Sequence, residues 1–396
     1  MGNPSIYVVA GEPSGDRHGA LLCRELLKQE PNAMVCGAGG PLMRESGQKQ
    51  LVDLAEHAVV GLVDVLKKYG TFRRLFSMIL KDIRERRPDV LVLIDYPGFN
   101  LRLAKAVRRA APQTRILYYI SPQVWAWKAG RARKMVQWID QLLVIFPFEV
   151  DWFREHAPEL SVQWVGHPLM DRWLGAPDCL TDPRELVIAL MPGSRRQEIE
   201  LHLPILLCAA HEIRIEFPSL KCILLAPNER IAGWMHEIYE KSAVHPPVDL
   251  VVDYPLTHLG RADLALVASG SATLECCVAN TPMLVLYKTN PLTWWLGRKL
   301  VQIPYLSIVN ILAQDKIVPE FLQDRATADN LAEAAKTMLR EPRWGKAMRQ
   351  KLTHVRRLLG RAGASQRAAK AVLKLIEPTA YNLHHKSMID EAALLD

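Results

Sequence analysis

The sequence predicts an α/β protein of two doubly wound, Rossmann-like domains facing a cleft. Two series of short apolar runs predict it, each run separated from the next by a helical pattern, with a turn-rich stretch between the series. At 396 residues, 49% of them hydrophobic, the chain is long enough for a separate core in each domain.

The first series holds "SIYVVAG" (5–11), "DVLVLID" (89–95), "RILYYIS" (115–121) and "QLLVIFP" (141–147). Continuous Val/Ile/Leu runs of this kind suit parallel strands covered on both faces. "HPLMDRWLGAPDCLTDPREL" (167–186) carries the prolines and turn formers of a linker. The second series follows: "LVIALMPGS" (186–194), "LKCILLAPN" (220–228), "VDLVVD" (248–253), "ADLALVASG" (262–270) and "PMLVLYK" (282–288). These boundaries give a first domain over 1–170, a second over 186–343, and basic helices over 344–396 that return to the first domain or exchange with a partner subunit in a homodimer.

Charge and cysteine content narrow the function. Lys and Arg exceed Asp and Glu by 50 to 42, so an anionic partner is favoured. The cations are spread over many helices with no recognised nucleic-acid module, which argues against DNA or RNA. The seven cysteines show no C-x-x-C pair, so they read as reduced core residues of a cytoplasmic protein with no zinc. No apolar run reaches the length of a membrane span.

The opening turn poses the first chemical question. "VVAGEPSGDRHG" ends a strand in Gly11, Gly15 and Gly19, but a dinucleotide fingerprint needs closer glycine spacing. Glu12 and Asp16 would also repel a diphosphate at a helix N-terminus. The first domain is therefore not the nucleotide half, and Asp16 is equally readable as a helix cap. The second domain offers two small-residue loops, each between a strand and a helix. Gly193, Ser194 and Arg195 form one; Ser269, Gly270 and Ser271 form the other. Together their amides, hydroxyls and guanidinium make a diphosphate cradle. Glu275, one turn into the second helix, can accept bonds from a ribose diol.

The order of "AGEPSGD" (10–16), "DYPGFN" (95–100), "ISPQVWAW" (120–127), "FPFE" (146–149), "VGHPL" (165–169), "PGSRRQE" (192–198), "SGSATLE" (269–275) and "VNILA" (309–313) resembles the lipid-A-disaccharide synthase family over about residues 5–375. Val309 stands where that family usually has proline. The resemblance implies a GT-B glycosyltransferase without a cofactor. Its reaction joins UDP-2,3-diacylglucosamine to 2,3-diacylglucosamine 1-phosphate, releasing UDP and a β-1′,6-linked disaccharide 1-phosphate at the cytoplasmic face of an inner membrane. It further implies Thr273 in the donor loop, and Ser14, Asp16 and Asn310 as substrate-binding residues.

Transfer with inversion needs a base for the acceptor hydroxyl and positive charge or dipoles for the departing diphosphate. Asp95 ends the run "VLVLID" where ligands of such sheets bind, which makes it the candidate base with Glu12 as its neighbour. The competing reading has Asp95 bonding its own turn. Arg195 and two helix N-termini neutralise a diphosphate without a metal.

A helical pattern over 62–81 places Leu66, Tyr69, Phe72, Phe76 and Ile79 on one arc flanked by cations. Such an arc covers a core or lies on an anionic membrane surface; the acylated substrates implied by the resemblance favour the membrane. Trp294, Trp295 and Leu296, with Arg298 and Lys299, form a second candidate contact. Three alternatives remain open: a transferase for a polyprenyl-linked acceptor, a UDP-sugar epimerase, and a non-catalytic lipid-binding protein.

Overall fold

The computed structural model describes residues 3–55, 69–126, 129–173, 185–254, 256–290, 294–295 and 304–377. It divides into two compact units, Met1–Gly166 with Gly363–Asp396, and His167–Ala362.

In the first unit the chain runs β1 (Ser5–Ala10), α1 (Pro13–Gln29), β2 (Met34–Gly39), α2 (Pro41–Glu45), β3 (Lys49–Asp53), α3 (Tyr69–Arg86), β4 (Val90–Ile94), α4 (Pro97–Ala110), β5 (Arg115–Tyr119), α5 (Arg131–Met135), β6 (Gln141–Val144), α6 (Pro147–His156) and β7 (Ser161–Trp164). The strands form one seven-stranded parallel sheet in the order β3-β2-β1-β4-β5-β6-β7. All five residues of β4 are buried, as a central parallel strand covered on both faces requires. Order reverses between β1 and β4, where Ala10 pairs with Ile94. That reversal is the topological switch point at which open α/β sheets bind ligands.

The second unit runs β8 (Val187–Met191), α7 (Arg196–Glu216), β9 (Lys221–Ala226), α8 (Glu229–Glu240), β10 (Asp249–Val252), α9 (Leu256–Arg261), β11 (Leu264–Ala268), α10 (Ser271–Ala279), β12 (Met283–Tyr287), α11 (Ile308–Ala313), β13 (Glu320–Leu322), α12 (Ala328–Arg340) and α13 (Pro342–Leu358). Its six-stranded parallel sheet has the order β10-β9-β8-β11-β12-β13, with the switch point between β8 and β11. The last described helix, α14 (Ala364–Ile376), belongs to the first unit and packs on α1. There Gln29 donates to the Gln366 carbonyl at 3.1 Å and Arg367 to the Val165 carbonyl at 2.7 Å.

The arc proposed for a membrane is corrected by α3. Ile79 is fully buried in the first core with Leu75 and Ile83, and Phe72 and Phe76 pack against the same cluster. The Phe76 ring meets Phe99 of α4 edge-on at 5.5 Å. A crossover helix must cover its sheet, and Phe72, Phe76 and Ile79 lie on the face that does so. Leu66 and the Tyr69 side chain lie outside the described residues.

Candidate active site

The first unit brings Glu12 and Asp95 to adjacent strand ends. Glu12 is the residue before α1, its side chain making no capping bond to that helix, and Asp95 directly follows β4. Asp95 and Tyr96 both take left-handed backbone conformations, at φ 46° and 48°. Such a pair persists only where its surroundings fix it. Asn100, fully buried, donates to the carbonyls of Ile94 at 3.0 Å and Asp95 at 2.8 Å, and the Tyr118 hydroxyl donates to the Asp95 carbonyl. The two strand ends also abut, since a Cβ on Gly11 would meet the Tyr96 ring at 2.1 Å. Burial first, then the charges of Asp95 and Glu12, hold the Tyr118 hydroxyl pKa well above its ordinary value, so it remains a donor. Both carboxylates thus act on one buried phenol.

Ser14 is exposed in the first turn of α1. Asp16 is turned into the protein. Its buried carboxylate accepts from the amides of Gly40 (2.8 Å), Leu42 (3.1 Å) and Met43 (3.0 Å), so it caps α2 across the unit. Its spacing suggested a ligand or a cap of its own helix; it caps another.

In the second unit the two small-residue loops follow β8 and β11 and therefore flank the switch point. Gly193 has φ 118°, and a Cβ there would press on Glu198 at 2.8 Å, so only glycine fits. Ser194 and Arg195 are exposed at the start of α7, where unpaired amides and the helix dipole favour an anion. The Arg195 guanidinium rests 3.1 Å from Glu198 Oε1. Ser269 donates its amide to the Leu286 carbonyl at 2.9 Å, while Gly270 and Ser271 are exposed at the start of α10.

Two further residues of these motifs have side chains engaged within the protein. Thr273 is fully buried and gives its hydroxyl to the Gly270 carbonyl at 2.8 Å, bracing the loop from behind. Asn310 is fully buried with both ends of its amide engaged: Oδ1 accepts from Ile317 and Val318 at 2.9 Å each, and Nδ2 donates to the Val318 carbonyl at 2.9 Å and to Glu320 at 2.8 Å. It fixes the turn between α11 and β13. Val309 beside it is a buried residue of α11 whose amide donates to Ser307 Oγ at 3.2 Å, a bond that a proline could not make.

Glu275 is partly buried and oriented from both sides. Arg172 donates to Oε1 at 3.2 Å and the buried Tyr254 hydroxyl to Oε2 at 2.5 Å. Sequence reading missed these partners, and it missed Asn100 and Tyr118 as well. Asn100 ends the motif "DYPGFN" and could have been found as an Asn one turn into a helix that follows a strand-end Asp; Arg172 and Tyr254, far from Glu275 in sequence, leave no local signal.

Another buried acid organises the edge of the first unit. Glu149, at the start of α6, accepts from the amides of Ile145 (3.2 Å) and Phe146 (3.0 Å) and from Trp125 Nε1 at 3.1 Å. Burial pushes its pKa up to about 7 against those donors and a bond from Ser121. Glu149 therefore ties the "ISPQVW" loop to α6, with the Trp125 ring edge-on to Phe148 at 5.0 Å.

A family model described as lipid-A-disaccharide synthetase matches residues 6–375. The lipid-A-disaccharide synthase of Geobacter sulfurreducens is 39% identical over 378 residues, covering 94% of this chain and 97% of that protein. That of Coxiella burnetii (strain Dugway 5J108-111) is 35% identical over 389 residues, covering 95% and 100%. Among solved structures, the UDP-GlcNAc 2-epimerase of Neisseria meningitidis bound to UDP-GlcNAc aligns with a TM-score of 0.61 at 13% identity, over 94% of this chain and 100% of that one. CalG4, the calicheamicin glycosyltransferase, aligns at 0.59 and 14% identity over 95% and 99%. At those identities the structural likeness speaks to the shared fold.

Proposed function

Because the chain belongs to the lipid-A-disaccharide synthase family, it is a glycosyltransferase of lipid A disaccharide synthesis, and we propose from that premise how its residues divide the work. The donor is a UDP-activated diacylglucosamine and the acceptor a diacylglucosamine 1-phosphate. The acceptor's 6-hydroxyl oxygen attacks the anomeric carbon of the donor, the bond to the diphosphate breaks, and UDP leaves with inversion. Asp95 takes the hydroxyl proton. Glu12 orients its neighbour, and exposed Ser14 meets the acceptor at the same strand ends.

The loops of Gly193–Arg195 and Ser269–Ser271 hold the diphosphate. Amides at the starts of α7 and α10, with the Arg195 guanidinium, take up the charge that grows on the leaving group. Glu275 receives the ribose hydroxyls on the lone pairs that Arg172 and Tyr254 leave available. The observation that carries this reading is the placement of each proposed pair at its sheet's switch point: Glu12 and Asp95 after β1 and β4, the two loops after β8 and β11.

The acyl chains of both substrates and the net charge of +8 support peripheral attachment at the anionic cytoplasmic face of the inner membrane. Trp295, 54% exposed, replaces the buried Ile79 face as the apolar contact. No helix of the described residues is long and apolar enough to cross a membrane.

The test is turnover in mixed micelles, following UDP and the disaccharide phosphate. Asp95→Asn should lose about 100- to 10,000-fold in rate while keeping its fold and its affinity for UDP. Near-normal turnover at saturating acceptor would remove Asp95 as the base. Lipid binding without UDP release by the unmodified protein would favour a non-catalytic lipid carrier instead.

A further inference from the structure

The second unit contains a buried histidine that no part of the proposed chemistry uses. His202 lies in α7, fully buried, about two helical turns beyond Arg195. Its Nδ1 is 2.9 Å from the Pro192 carbonyl, while Nε2 is 3.0 Å from the Lys288 amide and 3.1 Å from the Lys288 carbonyl. An amide N–H can only donate, so Nε2 accepts from Lys288, and Nδ1 carries the proton and gives it to Pro192. The Tyr287 ring packs beside the imidazole, with centroids 5.7 Å apart.

The two anchor points are distant in the sheet. Pro192 immediately precedes Gly193 after β8, and Lys288 immediately follows β12; β11 lies between those strands. No ladder bond joins β8 to β12, so the imidazole supplies a link that the sheet does not. The other small-residue loop is tied to the same stretch, through the Ser269 amide on the Leu286 carbonyl. Leu286–Lys288 is thus a common post for both loops, held directly by one and through His202 by the other.

We infer that His202 is a positioning residue of the donor site, setting the Pro192–Arg195 loop at a fixed distance from the Ser269–Ser271 loop so that both reach one diphosphate. The inference rests on the assignment of those loops to UDP. A histidine that merely filled the core would leave donor binding untouched. One that sets loop spacing acts on the donor and not on the acceptor, because misplacing preorganised donors weakens every bond they make to the ligand.

Three substitutions separate the bonds. His202→Asn keeps an N–H for the Pro192 carbonyl; His202→Gln keeps an acceptor for the Lys288 amide; His202→Leu keeps neither. UDP affinity by calorimetry, the Michaelis constants for donor and acceptor, and the melting temperature are measured on each, beside Arg195→Ala. Losing both bonds should weaken UDP binding about tenfold and raise the donor constant in parallel, and losing one about threefold, with the acceptor constant unchanged. In the unmodified protein UDP should slow hydrogen exchange of the peptide over 286–290. Asn and Gln variants that bind UDP within twofold of the unmodified protein, while Arg195→Ala binds it much more weakly, would overturn the inference and leave the donor site standing. Full affinity in Arg195→Ala as well would overturn both. If no substituted protein folds, the exchange measurement decides: unaltered exchange at 286–290 in saturating UDP counts against the link.

Discussion

The pH dependence of stability should carry the signature of Glu149. This carboxyl is 1% exposed, and its pKa is pushed from an ordinary 4.5 to about 7. The folded protein therefore holds a proton that the unfolded chain releases between those values. A raised folded pKa contributes stability that is fully present below the unfolded value and is lost as pH rises through the folded one. At ~1.4 kcal/mol for each pH unit spanned, the loss comes to ~3 kcal/mol between pH 4.5 and 7. In urea, with a slope of about 3 kcal/mol per molar, that is a fall of about 1 M in midpoint. The assay compares urea midpoints of the unmodified protein and Glu149→Gln from pH 5 to 8. The glutamine does not titrate but meets the donors around it differently, Trp125 Nε1 among them, so the slope and not the level is read. The unmodified protein should lose stability relative to the variant as pH rises, and the difference should flatten above about pH 8. Parallel curves would mean that Glu149 is ionised throughout, its donors having outweighed its burial.

Other expectations follow from single contacts. Arg195→Ala should weaken UDP binding by about 1.5–3 kcal/mol, read by calorimetry, for a lost charge-assisted bond. Ile79→Ser should cost about 3–5 kcal/mol in a denaturant titration, since a fully buried side chain of the first core is replaced by a polar one; a folded, stable variant that merely leaves vesicles would restore the membrane reading. Asn310→Ala should lower the melting temperature by several degrees, because the amides of Ile317 and Val318 lose their acceptor, about 1–3 kcal/mol for each buried group left unpaired. A substrate ligand at that position would instead leave the melt unchanged and raise a Michaelis constant.

The fold was legible where strands are buried on both faces. β1, β4, β5, β8, β11 and β12 are continuous apolar runs, and a central parallel strand admits little else. Sequence reading passed over β2, β3, β7 and β13. The strand "MVCGAG" carries glycines that dilute its apolar signal, and "SVQW" is largely exposed at the sheet edge. The face of α3 was ambiguous for a different reason. An arc with Phe72, Phe76 and Ile79 satisfies a lipid surface and a sheet equally well, and only the position of the sheet chooses.

The site divides along another line. Ser14, Ser194, Arg195, Gly270 and Ser271 stand exposed at helix starts, with groups available to a ligand. Asp16, Thr273 and Asn310 occur in the same motifs but spend their hydrogen bonds on the protein. A strand-end site requires both kinds. Loops aimed at a ligand leave donors unsatisfied, and short polar side chains behind them must be satisfied in full to hold that geometry against the cost of burial. Both tasks select the same amino acids, so a motif records their joint requirement without saying which letter does which. The division has an energetic consequence. Substituting an exposed member should change affinity and leave the melt alone, because water replaces the ligand in the free protein. A brace that is substituted leaves a buried group without a partner in the free protein, so stability falls first and affinity follows through the loop it held.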